Sequence, residues 1–402
     1  MKHLFLEAKG IIDKLEENGY EAYFVGGSVR DLLIGRPIGD VDIATSAKPE
    51  EIQALFRKTI DVGAEHGTII VLYNEKPFEV TTFRQESEYT DFRRPSAVTF
   101  ISSLKEDLKR RDFTMNAMAM KADGEIIDYF QGQEAIKTKT IETVGKAEHR
   151  FSEDALRMLR AVRFVSQLGF TLHPDTKQAI EDTHHLLHNI SVERKAVEFE
   201  KLLKGPNVCE GLQLLICTNL YKHLPGLGER KKELQQLATF SISLQDQNEL
   251  WTFVSYVLNI QEVESFLRSW KLPVKRIKHV QKALMILPKL LNNGWNDFLL
   301  YETGIEDALC IERVRQLILK QSDVENFERL KEMYANLPIK NRRELVLNGR
   351  DITQIMGLKP GPWVKETIGE LERLVVSRQL KNEKDQLKEW LKICNQKLDE
   401  SF

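Results

Sequence analysis

The chain has 402 residues, 42% hydrophobic and 29% charged, which excludes a mainly disordered, collagen-like or membrane-embedded protein. At roughly 100–200 residues per domain this length predicts several domains. Lys and Arg number 58 against 60 Asp and Glu, a net charge of -2, so any nucleic-acid site must be a local patch rather than a basic surface.

From the N-terminus, MKHLFLEAKGIIDKLEENG reads as an amphipathic helix carrying acids. It lacks the apolar run and small-residue cleavage site of a signal peptide. No stretch approaches the ~20 apolar residues of a membrane span, so a cytoplasmic enzyme is expected. Short β-rich runs recur over the first ~140 residues: EAYFV, VDIAT, GTIIVLY, FEVTTF, AMAM and EIIDYF. Ala122–Gly124 reads as a hairpin turn between two of them. From about Phe151 onward strands almost vanish. Apolar residues there recur at three- and four-residue spacing, as in Leu156 to Leu168 and Ile277 to Leu290. The fold class predicted is α+β: an N-terminal mixed-sheet domain followed by all-helical parts. Cys209, Cys217, Cys310 and Cys394 form no CxxC pair and have no His at zinc-ligand spacing, so reduced core thiols are expected. His184, His185 and His188 read as a partly exposed helical face rather than a metal site.

The densest chemistry lies in FVGGSVRDLLIGRPIGDVDIAT. A strand ends at Val25. Gly26 and Gly27 let the backbone approach a ligand, and Ser28 is expected to cap a short helix bearing Arg30. Helix N–H groups and the Arg30 fork suit a phosphate; the alternative is an ordinary strand–helix turn. Asp40 and Asp42 are expected side by side on one strand face. Their repulsion is resolved by a hard divalent cation such as Mg²⁺, unless the strand is a solvated edge. Buried-type Val41 and Ile43 and the nearby glycines favour the metal. Glu79, mid-strand in PFEVTTF, is either a third catalytic carboxylate or an outward-facing strand residue.

Further along, Ser103 to Glu106 predicts a capping box. Arg110, Arg111 and Asp112 follow at that helix's end. They suit a triphosphate and a ribose hydroxyl, or are basic residues favoured by the helix dipole. FSEDALRMLRAVRFVSQLGF is read as one helix on which Asp154, Arg157, Arg160 and Arg163 form a polar ridge at three-residue steps. Met158, Leu159, Val162 and Val165 lie opposite. A surface ion pair is the plain alternative. The sharper reading pairs Asp154, accepting from an exocyclic amine, with Arg157, donating to ring acceptors. Cytosine and adenine satisfy both groups. Uracil and guanine would set a carbonyl against Asp154.

These residues together resemble the class II tRNA nucleotidyltransferases of the polymerase-β superfamily, specifically the bacterial CCA-adding enzymes. The carriers are GGSVRD with DVD, DFRRP at Asp91–Pro95, RRDFTMNA at Arg110–Ala117, EDALRMLRAVRF at Glu153–Phe164, and the tail pieces LNGRDI and GLKPGPWV. The resemblance implies a nucleotidyltransferase head over residues 1–140, a base-reading neck over 141–205, a body over 206–300 and a tRNA-binding tail over 301–402. It implies Asp40 and Asp42 as Mg²⁺ ligands, with Gly26, Gly27, Arg30, Arg111 and Asp112 around the nucleotide. Asp154 and Arg157 would be the protein template for the base, supported by Arg160 and Arg163. The implied reaction adds C, C and A to the tRNA 3′ end from CTP and ATP, releasing pyrophosphate. The implied grip is on the acceptor stem and TΨC arm. The resemblance permits a tandem CCA on unstable tRNAs and a homodimer. Bacterial poly(A) polymerases share most of these motifs, and some bacteria split the task into CC-adding and A-adding enzymes. The pI of about 6.5 and the intact DFRRP loop favour full CCA addition.

Overall fold

The structure, a computed structural model, describes residues 3–86 and 98–399, without the side chains of residues 86, 98 and 395–399. The DFRRP stretch at Asp91–Pro95 lies outside the described residues. Helix α1 (His3–Glu17) buries Phe5, Ala8, Ile11, Ile12 and Leu15, the three-and-four spacing of an amphipathic helix. The elements that follow are β1 (Ala22–Val25), α2 (Gly27–Leu33), β2 (Asp42–Thr45), α3 (Pro49–Leu55), β3 (Thr59–Gly63), β4 (Thr68–Tyr73) and β5 (Lys76–Thr82). Then come β6 (Arg84–Glu86), β7 (Val98–Phe100), α4 (Leu104–Lys109), β8 (Met118–Met120), β9 (Ile126–Asp128), α5 (Gly132–Lys137) and β10 (Thr140–Ile141).

Seven of these strands form one mixed sheet in the order β3-β4-β5-β2-β1-β8-β9. Only the β2–β5 pair within it is parallel. Strand alternation sorts the side chains onto two faces. Phe24, Ile43, Phe78 and Val80 pack with α1 and α3 residues such as Ile12 and Ile52. Val25, Ala44, Ala117 and Ala119 pack on the other face with Leu104 and Leu108 of α4. The register sets Val25 opposite Asp42, and Asp42 opposite Glu79. Asp42 and Glu79 therefore share the α4 face, just beyond the end of β1. The expected hairpin is present: β8 and β9 pair antiparallel, and Gly124 takes φ +95 in the turn.

The helical continuation holds α6 (Ala147–Glu153), α7 (Leu156–Leu168), the short β11 (Thr171–Leu172), α8 (Pro174–Thr183), α9 (Val192–Leu203), α10 (Val208–Cys217) and α11 (Lys231–Leu237). Helix α7 spans the expected Leu156–Leu168 and packs against α9 and α10. At Gly205 a Cβ would sit 2.1 Å from Ser166 Oγ, so only glycine permits that approach. The hydroxyl of Ser166 donates to the Leu202 carbonyl at 2.5 Å.

Contacts divide the chain into two units. The first holds Met1–Ser243 with Ser265–Lys271; the second holds Leu244–Glu264 with Leu272–Phe402. The second unit contains α12 (Gln247–Val257), α14 (Val274–Asn293), α15 (Asp297–Thr303), α16 (Ile305–Ile318), α17 (Glu325–Ala335), α18 (Gly349–Met356), α19 (Pro362–Val376) and α20 (Lys384–Asp399); α13 (Val263–Ser269) runs from one unit into the other. Its α12 packs against α14 and α16, and a separate core gathers Leu347, Ile352, Leu371, Val375 and Leu387. No helix among the described residues is long and apolar enough to cross a membrane. The four cysteines are free, but they are not core thiols: Cys217 is exposed and the others half-buried.

Candidate active site

The turn after β1 is made by Gly26 at φ +73, a backbone conformation glycine adopts without strain. A Cβ there would stand 3.1 Å from Arg111 Nη1 and 3.6 Å from Asp42 Oδ2. Gly26 thus closes a small cradle between a guanidinium and a carboxylate. Gly26, not Ser28, is the N-cap of α2; Ser28 lies inside the helix and donates to the Val25 carbonyl at 2.9 Å. The expected Ser28 cap fails because the helix starts two residues earlier, at Gly27.

Asp42 begins β2, and Asp40 precedes the strand as an exposed loop residue. Of the pair expected on one strand, only Asp42 lies in a strand, and Asp40 stands two residues before it. Burial first, then the charges of Glu79 and Asp40, push the Asp42 carboxyl up to about 6, against the pull of Arg111. Glu79, exposed in mid-β5, sits abreast of Asp42 across the β2–β5 pair, but the oxygens of Asp40, Asp42 and Glu79 do not all lie within 4.8 Å of one another. An oxygen-only donor set fits a hard divalent cation, whose charge would offset the burial and relieve the crowding that raise Asp42.

Opposite the acids stand arginines. Arg111 follows the end of α4 by two residues, and its Nη2 donates to buried Asp107 of α4 at 3.3 Å. Its Nε is buried without a hydrogen-bond partner among the described residues. Ser103 caps α4 by accepting from the Glu106 amide, but the Glu106 carboxylate binds Lys109 at 3.2 Å instead of returning to Ser103. Arg30 Nη1 donates to Asn116 Oδ1 at 2.6 Å. The Asn116 amide donates to Asp112 at 3.1 Å, and Asp112 accepts from Arg160 Nε at 2.8 Å. Asp112 also accepts the Phe113 amide at 2.8 Å. These donors, with the Arg160 charge, hold its carboxyl well below the usual range despite burial. Both Asp112 oxygens are therefore occupied in aligning Asn116 and Arg160. Arg163 Nε pairs with Glu198 of α9 at 2.6 Å. The Phe164 ring lies 5.1, 5.5 and 4.0 Å from the guanidinium carbons of Arg30, Arg160 and Arg163. One aromatic face system thus steadies three cations.

The expected single helix through Asp154 is interrupted. Asp154 caps the C-terminus of α6 with extended φ −139 and ψ 101. Asp154 and Arg157 each hold other partners. Asp154 Oδ2 accepts from Arg194 Nη2 of α9 at 2.6 Å. Arg157 Nη1 donates to Glu153 Oε2 at 2.6 Å, and its Nη2 to the Arg110 carbonyl at 3.1 Å. Arg150 Nη2 donates to the Arg111 carbonyl at 2.9 Å. Arg157 and its neighbour Arg150 are thereby tied to the backbone that carries Arg111. Sequence reading missed Asp107, Asn116, Glu153, Arg194 and Glu198. Glu198 offered a signal, an acid on the apolar face of α9 beside Phe199 and Leu202, but not its partner.

Three family models match the chain: the poly A polymerase head domain over residues 22–142, the RNA and SrmB-binding site of polymerase A over 169–230, and tRNA nucleotidyltransferase domain 2 over 242–391. The CCA-adding enzyme of Geobacillus sp. strain WCH70 is 51% identical over 97% of both chains. That of Bacillus cereus strain AH820 is 50% identical over 97% of this chain and 99% of its own. The crystal structure of the Bacillus stearothermophilus CCA-adding enzyme in complex with CTP superposes at TM-score 0.94 with 48% identity, covering 100% of each chain. With the head's carboxylates and arginines in place and relatives of this identity along its whole length, the chain belongs to the CCA-adding enzymes, a family of tRNA nucleotidyltransferases.

Proposed function

We propose that the chain builds and repairs the 3′-terminal CCA of tRNA from CTP and ATP, releasing pyrophosphate. The observation that carries this reading is Asp42 and Glu79 abreast on adjoining strands, beside the Gly26 turn and the Arg111 guanidinium. Asp40 and Asp42 would hold Mg²⁺, which when bound polarises the α-phosphate and lowers the cost of ionising the attacking 3′ hydroxyl. Glu79 is the third carboxylate of that set. The Gly26–Gly27 turn, Arg30 and Arg111 neutralise the triphosphate and orient pyrophosphate to leave. Asp112 serves the nucleotide by holding Arg160 and Asn116 in place. Asp154 accepts the exocyclic amine of C or A, and Arg157 donates to the ring acceptor beside it. Arg163 backs this wall through Glu198. The helical parts grip the tRNA acceptor stem and TΨC arm through phosphates and shape. The functional division we propose is head 1–140, neck 141–205, body 206–300 and tail 301–402, in a cytoplasmic enzyme whose homodimerisation light scattering would check.

The decisive experiment supplies the full chain with tRNA lacking its CCA and each NTP in turn. CTP should add two residues and ATP one more after them. Extension by ATP alone would mark a poly(A) polymerase, and a halt after CC a CC-adding enzyme. Use of ATP only on tRNA already ending in CC would mark an A-adding one. Asp40→Ala and Asp42→Ala should each abolish incorporation of both nucleotides while tRNA binding survives. Retention of more than about a tenth of turnover, about 1.4 kcal/mol of barrier, removes the metal role. The double swap Asp154→Arg with Arg157→Asp should lower CTP and ATP use and raise UTP and GTP use. Deleting Glu86–Arg94, most of it outside the described residues, should spare CC addition and impair the final A, since the pocket must change size between pyrimidine and purine.

A further inference from the structure

Asp154 is held by a residue that the motif does not contain. Its Oδ1 accepts the Leu156 amide at 3.0 Å and Arg194 Nη1 at 3.3 Å, and its Oδ2 accepts Arg194 Nη2 at 2.6 Å. Arg194 comes from the first turn of α9, and its fork meets the carboxylate with two nitrogens. The pair is largely withdrawn from water, with side-chain exposures of 27% and 15%. A carboxylate has about four lone-pair positions. Three are filled here, both on Oδ1 and one on Oδ2. The one left lies on Oδ2, and an exocyclic amine needs only one.

We propose that Arg194 is a positioning residue that leaves Asp154 a single, fixed acceptor for the incoming base and so sets nucleotide specificity. The inference rests on the reading of Asp154 as the base-contacting acid. Discrimination against uracil needs its O4 to meet an acceptor that cannot turn aside. A carboxylate clamped by a planar fork cannot rotate, so acceptor faces acceptor and the contact is refused. Without the fork, only the Leu156 amide among the described residues hydrogen-bonds Asp154. The carboxylate can then swing away from O4, and the penalty on uracil falls. Cytosine suffers less, because its amine can follow a moving acceptor. A lysine would keep the charge but lose the two-point clamp.

The test measures kcat/KM for CTP and UTP with the full chain on tRNA lacking its CCA, with Tm as the control for folding. Arg194→Met should lower the CTP-over-UTP ratio about tenfold or more, and Arg194→Lys by a smaller factor, with Tm near that of the parent. An unchanged ratio in both variants overturns the proposal. An equal proportional loss with both nucleotides also overturns it, since that marks a structural role. If Arg194→Met fails to fold, the ratio of Arg194→Lys decides. Asp154→Ala separates the two layers. A ratio that collapses in Asp154→Ala but survives in the Arg194 variants refutes the clamp alone. A ratio that survives in Asp154→Ala refutes base reading by Asp154 and the clamp with it.

Discussion

At the residue scale, the site trades stability for chemistry. Asp42 is half-buried beside Glu79 and Asp40, and its carboxyl is raised from 3.8 to about 6. An acid whose folded pKa exceeds its unfolded pKa is favoured in the unfolded state once ionised. The penalty is therefore full above about pH 6 and absent below pH 3.8. Partial exposure to water reduces its size, to on the order of 1–2 kcal/mol. In EDTA at pH 7.5, Asp42→Asn should raise the Tm by several degrees while abolishing nucleotide transfer. Below pH 4 the two proteins should converge. A variant less stable than its parent at pH 7.5 would show that Asp42 holds the β2 end together rather than straining it. The sequence points to the pair of acids but not to this strain. The DVD spacing announces a pair, whereas the depth of Asp42 and the approach of Glu79 come from the β2–β5 register, between segments separated by two strands and a helix.

At the element scale, α7 shows where periodicity suffices and where it stops. Its apolar residues recur at helical spacing, and Leu156–Leu168 is the helix that forms. Four polar residues at three-residue steps also suggested that Asp154 belonged to it. Spacing cannot reveal that the backbone turns extended at Asp154, nor that Arg157 pairs with Glu153, Arg160 with Asp112 and Glu198, and Arg163 with Glu198. Those acids all come from outside α7, Glu153 from the end of α6. What unites Arg160 and Arg163 with Arg30 is Phe164, buried at 3% exposure among them. Phe164→Leu keeps an apolar side chain but removes the ring face, losing cation–π contacts worth ~0.5–2 kcal/mol each. It should raise KM for CTP and ATP together, several-fold, and leave the preference for C over U unchanged. A change in preference would move Phe164 into base reading. The histidines of two neighbouring 3-10 turns make a different prediction. His184 Nδ1 lies 2.8 Å from His223 Nε2, and Lys195 Nζ donates to the His223 carbonyl. Burial, then His184, Lys195, His188 and His185, push the His223 ring down to about 4, and burial lowers His184 as well. A base with a lowered folded pKa takes its proton first in the unfolded chain. Stability tied to the pair is thus intact above about pH 6.5 and drains away as pH falls toward 4. The urea midpoint of His223→Gln should fall less than that of the parent between pH 7 and pH 4.5. Parallel curves would show that the pair carries no proton linkage.

At the scale of the whole molecule, the strand-rich start and helical remainder were legible because period-two and period-3.6 patterns differ in kind. The partition of the helical remainder was not. Its segments share one texture, and the chain leaves the first unit at Leu244, returns over Ser265–Lys271 and leaves again. A seven-residue return carries no compositional mark. Its anchor is Trp270, fully buried and stacked on Phe199 at 5.0 Å. Gly226, at φ +67, admits Phe266 of the same segment, since a Cβ there would come within 2.7 Å of the ring. The second unit has its own core around Leu371, Val375 and Leu387, each 0% exposed. Two cores that close separately should melt as separable transitions in calorimetry. Trp270→Ala should cost about 3–5 kcal/mol and Leu371→Ala about 2–5 kcal/mol. The first should shift only the transition of the unit holding the sheet, and the second only the other. If either variant lowers both transitions equally, the seven-residue return does more than anchor one unit, and the chain unfolds as a single cooperative body.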